Sequence, residues 1–140
     1  GEGNEKARLQ RKYSKLIKRG LVHFAGDIYD ESKLSKYFKN AHLFVSPGNI
    51  GLACMHSLIY GTPVCTHDNM NYQMPEAECL NESNSVLFKR GDVNSLTVAI
   101  KKGLLIKDSS ETEDKCRNTI LKTYTPRNQA QIISTFLDSI

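Results

Sequence analysis

A glycine-bearing turn lies between two apolar segments near the middle of this 140-residue chain. Its residues are Gly48, Asn49, Ile50, Gly51 and Leu52. Glycine lets the backbone approach a ligand where a side chain would obstruct it, and backbone amides at the start of a helix attract an anion. The turn therefore has the composition of a phosphate-binding site. An ordinary strand-to-helix turn fits equally well, because two nearby glycines are a weak signal.

The segments around the turn alternate between strand and helix patterns. Apolar runs predict strands at 21–25, 42–46, 62–66 and 85–88. Helical periodicity predicts helices at about 4–19, 32–40, 50–60, 94–106, 110–123 and 126–138. Strand alternating with helix implies parallel pairing, right-handed crossovers and helices on both faces of the sheet. We therefore predict an α/β fold with a three-layer, Rossmann-like parallel sheet.

Single residues mark several element boundaries. Gly20 is a natural stop for the first helix, Pro75 opens a short helix, and Pro126 fits the first turn of the last one. Asp92 or Asn94 can cap the helix that follows the last strand. The inner side of that helix is expected to carry Leu96, Val98, Ala99, Ile100 and Leu104.

Three predicted loops are expected to share one rim of the sheet. In parallel α/β sheets, ligands bind beyond the carboxyl ends of the strands. This rule brings together the loops at 26–31, 46–51 and 66–76, where unusual polar residues are found. The rim is therefore the predicted location of a binding site.

The cysteines and histidines do not predict a metal centre. The four residues of each type are spread without the paired spacing of metal ligands. We expect reduced cysteines in a cytoplasmic protein, in preference to a disulfide pair. The sequence also lacks an apolar run approaching the length needed to cross a bilayer.

The first twenty residues are strongly basic. They hold seven Lys and Arg against two Glu, whereas the whole chain has a net charge of +4. A basic amphipathic helix can attract an anionic membrane surface or nucleic acid. A solvated helix face is the preferred interpretation, because aromatic residues do not interleave with the charges.

The stretch at 46–64 resembles the donor-binding half of glycosyltransferases with the GT-B fold. The resemblance is to the large retaining group called family 4 or "glycosyl transferases group 1". Gly51-Leu52 match the Gly-Leu of that family's motif, and Ser57 matches its Ala. Residues 61–64 match its closing Gly-x-Pro-Val.

Both motif glutamates are replaced in this chain. Gly48 stands in the position of the first glutamate, which lies close to the donor sugar in the family. His56 stands in the position of the second glutamate, which usually holds the ribose. The replacements leave the backbone phosphate cradle untouched. The version with His resembles a subgroup associated with surface-polysaccharide synthesis, so we interpret the site as a variant donor site.

The resemblance covers roughly residues 1–106. Residues 1–4 resemble the Gly-Asp-Gly-Pro turn of the family, residues 24–28 its Phe-x-Gly-x-Val, and residues 41–47 its Ala-Asp-Leu-Phe-Val-x-Pro. By this register, a strand pair with an Arg and a Lys that contact the diphosphate would precede residue 1. Residues 1–140 are therefore expected to form one partial, N-terminally truncated C-terminal domain, without the N-terminal acceptor domain.

The resemblance also implies roles for individual residues. The backbone amides of the turn at 48–52 would receive the diphosphate of a sugar nucleotide, and His56 would hold ribose or phosphate. Asp27, Ile28 and Tyr29 would border the nucleobase, and Gln73 and Glu76 would lie near the sugar. Ser57 is expected to pack as a small residue. A structural role is the alternative for His56, and ordinary loop or capping roles are the alternatives for the others.

The implied activity is transfer of a sugar, with probable retention, from a nucleotide-diphosphate sugar to a glycan or polyprenyl-linked acceptor. The resemblance implies no cofactor and no metal, a cytoplasmic location, and peripheral contact with the inner face of the membrane as an added possibility. Catalytic residues would lie mainly in the absent domain, so the fragment alone is expected to be inactive. No nucleic-acid partner is expected.

Three other classes of protein are alternatives to a glycosyltransferase. A non-catalytic nucleotide-binding or partner subunit with the same half-fold would tolerate the loss of both glutamates. A signalling receiver domain needs an acidic cluster at the strand ends, where this chain supplies one acid at best. A sugar-nucleotide epimerase of the GT-B architecture would be expected to show a different, acid-rich site.

Overall fold

Three parallel strands form the sheet of this protein, in the order β1-β2-β3. They are β1 (Phe44–Ser46), β2 (Val64–His67) and β3 (Ser85–Phe88). The structure is a computed structural model that describes residues 2–106 and 110–140. Phe44 pairs with Val64, and Val64 pairs with Ser85. The α/β class and the parallel pairing predicted from the sequence are confirmed.

Seven α-helices accompany the strands in the described residues, together with two short 3₁₀ helices. The α-helices are α1 (Lys6–Lys12), α2 (Ser14–Lys18), α3 (Glu31–Asn40), α4 (Ala53–Ile59), α5 (Val93–Ile106), α6 (Ser110–Thr123) and α7 (Pro126–Leu137). The 3₁₀ helices span Met70–Tyr72 and Pro75–Cys79. Asp92 caps α5, since its Oδ1 accepts the Ser95 amide at 2.9 Å.

The chain divides into two compact units, Gly1–Lys36 and Tyr37–Ile140. In the second unit, side chains of β2 alternate between two hydrophobic clusters. Val64 packs with Leu58 of α4 and Ile120 of α6, whereas Cys65 packs with Ala99 of α5. Successive side chains of a strand point to opposite faces of its sheet. The helices therefore cover both faces, as the three-layer prediction requires.

Helix α5 presents a narrower stripe to the core than the sequence predicts. Val98 and Leu104 are 66% and 47% exposed, so their predicted inward orientation is wrong. Ala99 is buried as predicted, and Gly103, which was not predicted to face inward, is buried as well. A Cβ on Gly103 would lie 2.7 Å from Leu43 Cδ2. Helix α5 therefore contacts the core through Gly103. Because successive residues of a helix are rotated by about 100°, the side chain at position 104 points away from that contact.

In the first unit, the predicted helix at 4–19 is divided at Tyr13, which separates α1 from α2. Gly20 stops α2 as predicted, with a φ of 70°, and the Leu21 amide closes the turn by donating to Leu16 O at 3.0 Å. The strand predicted at 21–25 is wrong, because residues 21–30 form neither strand nor helix. An apolar run becomes a strand only where another strand pairs with it, and no described strand does. Gly1 of the predicted first turn lies outside the described residues.

None of the helices in the described ranges combines the length and the apolar character needed to cross a bilayer.

Candidate functional site

The turn at 48–52 connects the carboxyl end of β1 to α4. Gly48, Asn49 and Leu52 are exposed, whereas the Ile50 side chain is 1% exposed and anchors the turn in the core. Helix α4 begins at Ala53, not near residue 50 as predicted. The amides of this turn therefore belong to a loop rather than to the first turn of a helix.

Four backbone amides of the loop are available to a ligand. Within residues 2–106 and 110–140, the amides of Gly48, Asn49, Gly51 and Leu52 donate to no protein acceptor. The Ile50 amide differs from the prediction, because it donates to Gln73 Oε1 at 2.7 Å. It is therefore already occupied, and the predicted phosphate contact of Ile50 is corrected.

A chain of hydrogen bonds connects the centre of the loop to the end of β1. Thr66 Oγ1 donates to Ser46 O at 2.9 Å and accepts from Gln73 Nε2 at 3.0 Å. Because Gln73 Oε1 accepts from the Ile50 amide, the chain runs from the last residue of β1 to the central residue of the loop. Gln73 Nε2 also lies 2.9 Å from His67 O and 3.1 Å from His67 Nδ1. In this structure, Gln73 holds the loop rather than facing a ligand.

The segment after Gln73 covers one side of the loop. The Met74 amide donates to Ile50 O at 3.2 Å. A Cβ on Gly51 would meet Met74 Cγ at 3.6 Å and Glu76 Oε2 at 4.0 Å. A single methyl group therefore fits at Gly51, whereas a branched side chain would press on Met74 and Glu76.

One oxygen of Glu76 is buried without a partner. Glu76 Oε2 has no hydrogen-bond partner among the described residues, although the side chain as a whole is only partly buried. Burying a carboxylate oxygen without a donor is unfavourable. The orphaned acceptor lies beside Gly51 of the loop.

His56 lies in the second turn of α4 and is partly buried. Its amide donates to Leu52 O at 3.1 Å, and the Cα–Cβ bond of a helical residue tilts towards the helix N-terminus. The side chain of His56 therefore leaves the helix in the direction of the loop. Ser57, the next residue, is buried and donates to Thr62 O at 2.8 Å, in agreement with its predicted packing role.

Asp27, Ile28 and Tyr29 belong to the first compact unit. Tyr29 is 92% exposed, Asp27 is exposed and Ile28 is partly buried. Their predicted contact with a nucleobase stays a prediction.

Arg90 is a cation that the sequence analysis missed. It follows β3, so it lies at the same edge of the sheet as the loop, beyond the carboxyl ends of parallel strands. Its amide donates to Asp68 Oδ1 at 3.2 Å, and its guanidinium lies 3.8 Å from the centre of the Tyr72 ring. The sequence feature that could have identified Arg90 is the basic pair Lys89-Arg90, which directly follows a predicted strand.

Two thiols lie beneath the loop. Cys54 Sγ of α4 is 3.7 Å from Cys79 Sγ. The hydrogen bond between them lowers the pKa of Cys54 and raises the pKa of Cys79, and burial raises the latter further. The described residues contain no group of three or more His, Cys, Asp and Glu that could hold a metal ion.

Comparison with known proteins gives one match. The sequence profile of the family described as "Glycosyl transferases group 1" matches residues 1–123, which include every candidate residue. A search of curated proteins found no match.

Proposed function

Because this chain belongs to the group 1 glycosyltransferase family, we propose that the loop at 48–52 binds the diphosphate of a nucleotide sugar. The complete protein would transfer that sugar, with retention, to a glycan or polyprenyl-linked acceptor. The observation that carries the proposal is the set of four amides, at Gly48, Asn49, Gly51 and Leu52, that donate to no acceptor among the described residues, in a loop whose central residue is held by Gln73.

Fixed amide dipoles suit the departure of a diphosphate. Negative charge grows on the leaving group as the bond to the sugar breaks, and donors already held in place stabilise it without reorganising. The bonds from Gln73 to Ile50 and Thr66 supply this rigidity. The guanidinium of Arg90, at the same edge of the sheet, would add a positive charge on the diphosphate side.

We assign the donor sugar to the side of the loop covered by Glu76. A sugar hydroxyl can donate to Glu76 Oε2, the acceptor that lacks a partner. With Gly48 in place of the first motif glutamate, Glu76 would be the carboxylate nearest to the sugar. His56 would contact the ribose through a ring nitrogen, because its helix position directs the side chain towards the loop.

The chain lacks an Asp-x-Asp sequence, the usual arrangement for a divalent cation bridging a nucleotide diphosphate. We therefore propose that amides and cations of the protein stabilise the leaving group. The acceptor and the residues that activate it would be supplied by the other half of a two-domain enzyme.

Titration of the complete protein with UDP, GDP and ADP sugars tests the proposal. One of these donors should bind, and Gly51→Val should weaken its binding at least tenfold, because the branched side chain displaces Met74 and Glu76. Gly3→Val is the matched control, since a Cβ on Gly3 meets nothing within 4 Å. Equal donor affinity in both variants would refute the assignment of the loop.

A non-catalytic subunit remains the alternative, because Gly48 and His56 replace both motif glutamates. Such a protein would bind the nucleotide sugar through the same loop without breaking it. Release of nucleoside diphosphate from a bound donor, measured with the complete protein and a lipid-linked acceptor, separates the two. Retention of an intact donor would favour the subunit.

We further propose that α1 and α2 contact an anionic membrane surface. Residues 6–26 contain seven Lys and Arg and no Asp or Glu. In the described part of the chain, only Lys6 and Arg8 of these seven form ion pairs. Leu16 and Tyr13 are partly exposed beside the remaining cations, which gives the helices the composition of an interfacial segment.

Vesicle binding tests the membrane contact. Each basic residue near an anionic surface contributes about 1 kcal/mol, so Lys15→Gln, Lys18→Gln and Arg19→Gln together should lower partitioning onto phosphatidylserine vesicles roughly 100-fold. Lys101→Gln with Lys102→Gln and Lys122→Gln removes as much charge from exposed positions elsewhere. Equal losses in both triple variants would show that net charge, and not this surface, attracts the protein.

A further inference from the structure

Cys54 and Cys79 form a buried thiol pair, although 25 residues separate them in sequence. Cys54 and Cys79 are 0% and 2% exposed, so a peroxide reaches them only through local opening of the segments that cover them. Neither cysteine is in a disulfide bond. Their sulfurs are 3.7 Å apart. A disulfide bond is about 2.0 Å long, so the sulfurs need to approach by roughly 1.7 Å to form one. We expect rotation of the two side chains, together with a small shift of the backbone segments that carry them, to supply a movement of this size without unfolding either element.

The pair is held in place by the elements that carry it. Cys54 is the second residue of α4, and its Sγ also lies 3.4 Å from Glu76 O. Cys79 ends the 3₁₀ helix opened by Pro75, and Asn84 Nδ2 fixes its carbonyl oxygen at 3.0 Å. The two thiols are therefore neighbours as a consequence of the packing of α4 against this 3₁₀ helix.

We propose that Cys54 and Cys79 are a redox-reactive thiol pair that a peroxide converts into a reversible disulfide. Cys54 acts as thiolate and attacks one oxygen of hydrogen peroxide, so that an S–O bond forms, the O–O bond breaks and hydroxide leaves as water after taking a proton. Cys79 then attacks the sulfenic sulfur. The S–S bond forms, the S–O bond breaks, and the hydroxyl leaves as water with the Cys79 proton.

The order of attack follows from the electrostatics of the pair. The hydrogen bond from Cys79 favours the thiolate of Cys54, whose pKa it lowers, and keeps the proton on Cys79. A thiolate, not a thiol, is the nucleophile in such chemistry. Two electrons pass from the thiols to the peroxide, and a dithiol reductant returns them by exchange.

The disulfide would change the position of the loop at 48–52 and so its affinity for the donor, an effect that rests on the proposed function. Cys54 lies three residues after Gly51, and Cys79 lies three residues after Glu76, while Gly51 and Glu76 themselves are neighbours. Shortening the distance between the sulfurs therefore shifts the loop relative to Glu76. Donor affinity should fall several-fold on oxidation and recover on reduction.

Mass spectrometry of the whole chain tests the thiol pair directly. Treatment with hydrogen peroxide should remove two hydrogen atoms from the intact mass, and a non-reducing peptide map should join Cys54 to Cys79. Dithiothreitol should reverse both results. Cys65 and Cys116 are also buried and form no disulfide bond in the structure, so they serve as internal controls. Absence of the linkage, or a linkage that uses Cys65 or Cys116, would overturn the proposal.

Variants and donor binding complete the test. Cys79→Ser should retain no peroxide-induced disulfide, whereas Cys65→Ser should form it as the unmodified chain does. Donor affinity is then compared between reduced and oxidised protein. A linkage that leaves donor affinity unchanged would refute the coupling to the loop. Failure of the donor to bind in either state would refute the proposed function. The peptide map would still show whether Cys54 and Cys79 form the proposed disulfide.

Discussion

Replacing Gln73 with Leu tests whether its side chain fastens the loop. The substitution keeps the approximate size of the residue. It removes the acceptor of the Ile50 amide and the donor to Thr66 Oγ1 and His67 O. The Ile50 amide would be left without a partner beside a buried side chain. Thr66 keeps its own bond to Ser46 O, so the end of β1 that precedes the loop stays held.

The expected loss of stability is moderate. Three hydrogen bonds are lost, each of which contributes about 0.5–1.5 kcal/mol, and a buried donor left unpaired costs about 1–3 kcal/mol. Because Gln73 is only partly buried, water can replace some of these contacts. We therefore expect a loss of about 2–3 kcal/mol. At about 3 °C per kcal/mol for a chain of this size, Tm should fall by roughly 6–9 °C.

Thermal unfolding followed by circular dichroism measures this change. Gln129→Leu on α7 is the matched control, because Gln129 is exposed, and its Tm should stay within about 2 °C of the unmodified chain. A Tm for Gln73→Leu equal to that of the control would refute the fastening role.

Gln73→Glu extends the same test to pH. The carboxylate can still accept from the Ile50 amide, but its second oxygen faces His67 O without a proton to donate. Folding therefore favours the protonated acid, which raises the folded-state pKa above the unfolded one. The resulting stability is present below the unfolded pKa and is lost as pH rises through the folded pKa. Urea unfolding should show the variant closest to the unmodified chain at acidic pH, and a constant difference across pH would contradict this.

Three further substitutions test the site and the core. His56→Ala should weaken nucleotide binding measured by calorimetry, and an unchanged Kd would leave only a packing role. Glu76→Gln replaces the orphaned acceptor by an amide. It should lower affinity for the donor sugar while affinity for the nucleoside diphosphate stays constant, because in the proposed complex only the sugar would contact Oε2; parallel losses would contradict that assignment. Gly103→Ala should cost about 1–3 kcal/mol in urea unfolding, because its Cβ would lie 2.7 Å from Leu43 Cδ2; Gly48→Ala, in open space, is the control for stability.

The sequence predicted most elements because their signals are local. Apolar runs located β1, β2 and β3 within about two residues, and Pro75 and Pro126 located the starts of two helices. The apolar run at 21–25 failed for a physical reason. It has the composition of a strand, but composition does not reveal whether another strand is available to form the ladder.

The contacts that shape the candidate site are not local, which is why the sequence did not predict them. Gln73 and Ile50 are 23 residues apart, and the hydrogen bond between a side chain and a backbone amide leaves no periodic pattern. The same holds for Cys54 and Cys79. The family resemblance assigned Gln73 a position near the sugar, whereas its side chain bonds to Ile50 and Thr66, because a motif records residue types and not the direction of a side chain. The assignment of the loop to a diphosphate stays a prediction.

Strand β2 is the common wall of the two hydrophobic clusters, with Val64 in one and Cys65 in the other. Its backbone is also paired on both edges, with β1 and with β3. Water reaches these amides only if the sheet itself separates, so the hydrogens of β2 should exchange with solvent through global opening. We therefore expect β2, which ends at the candidate site, to be the last part of the second unit to lose its protection against hydrogen exchange. The candidate site is thus attached to the most stable strand of that unit.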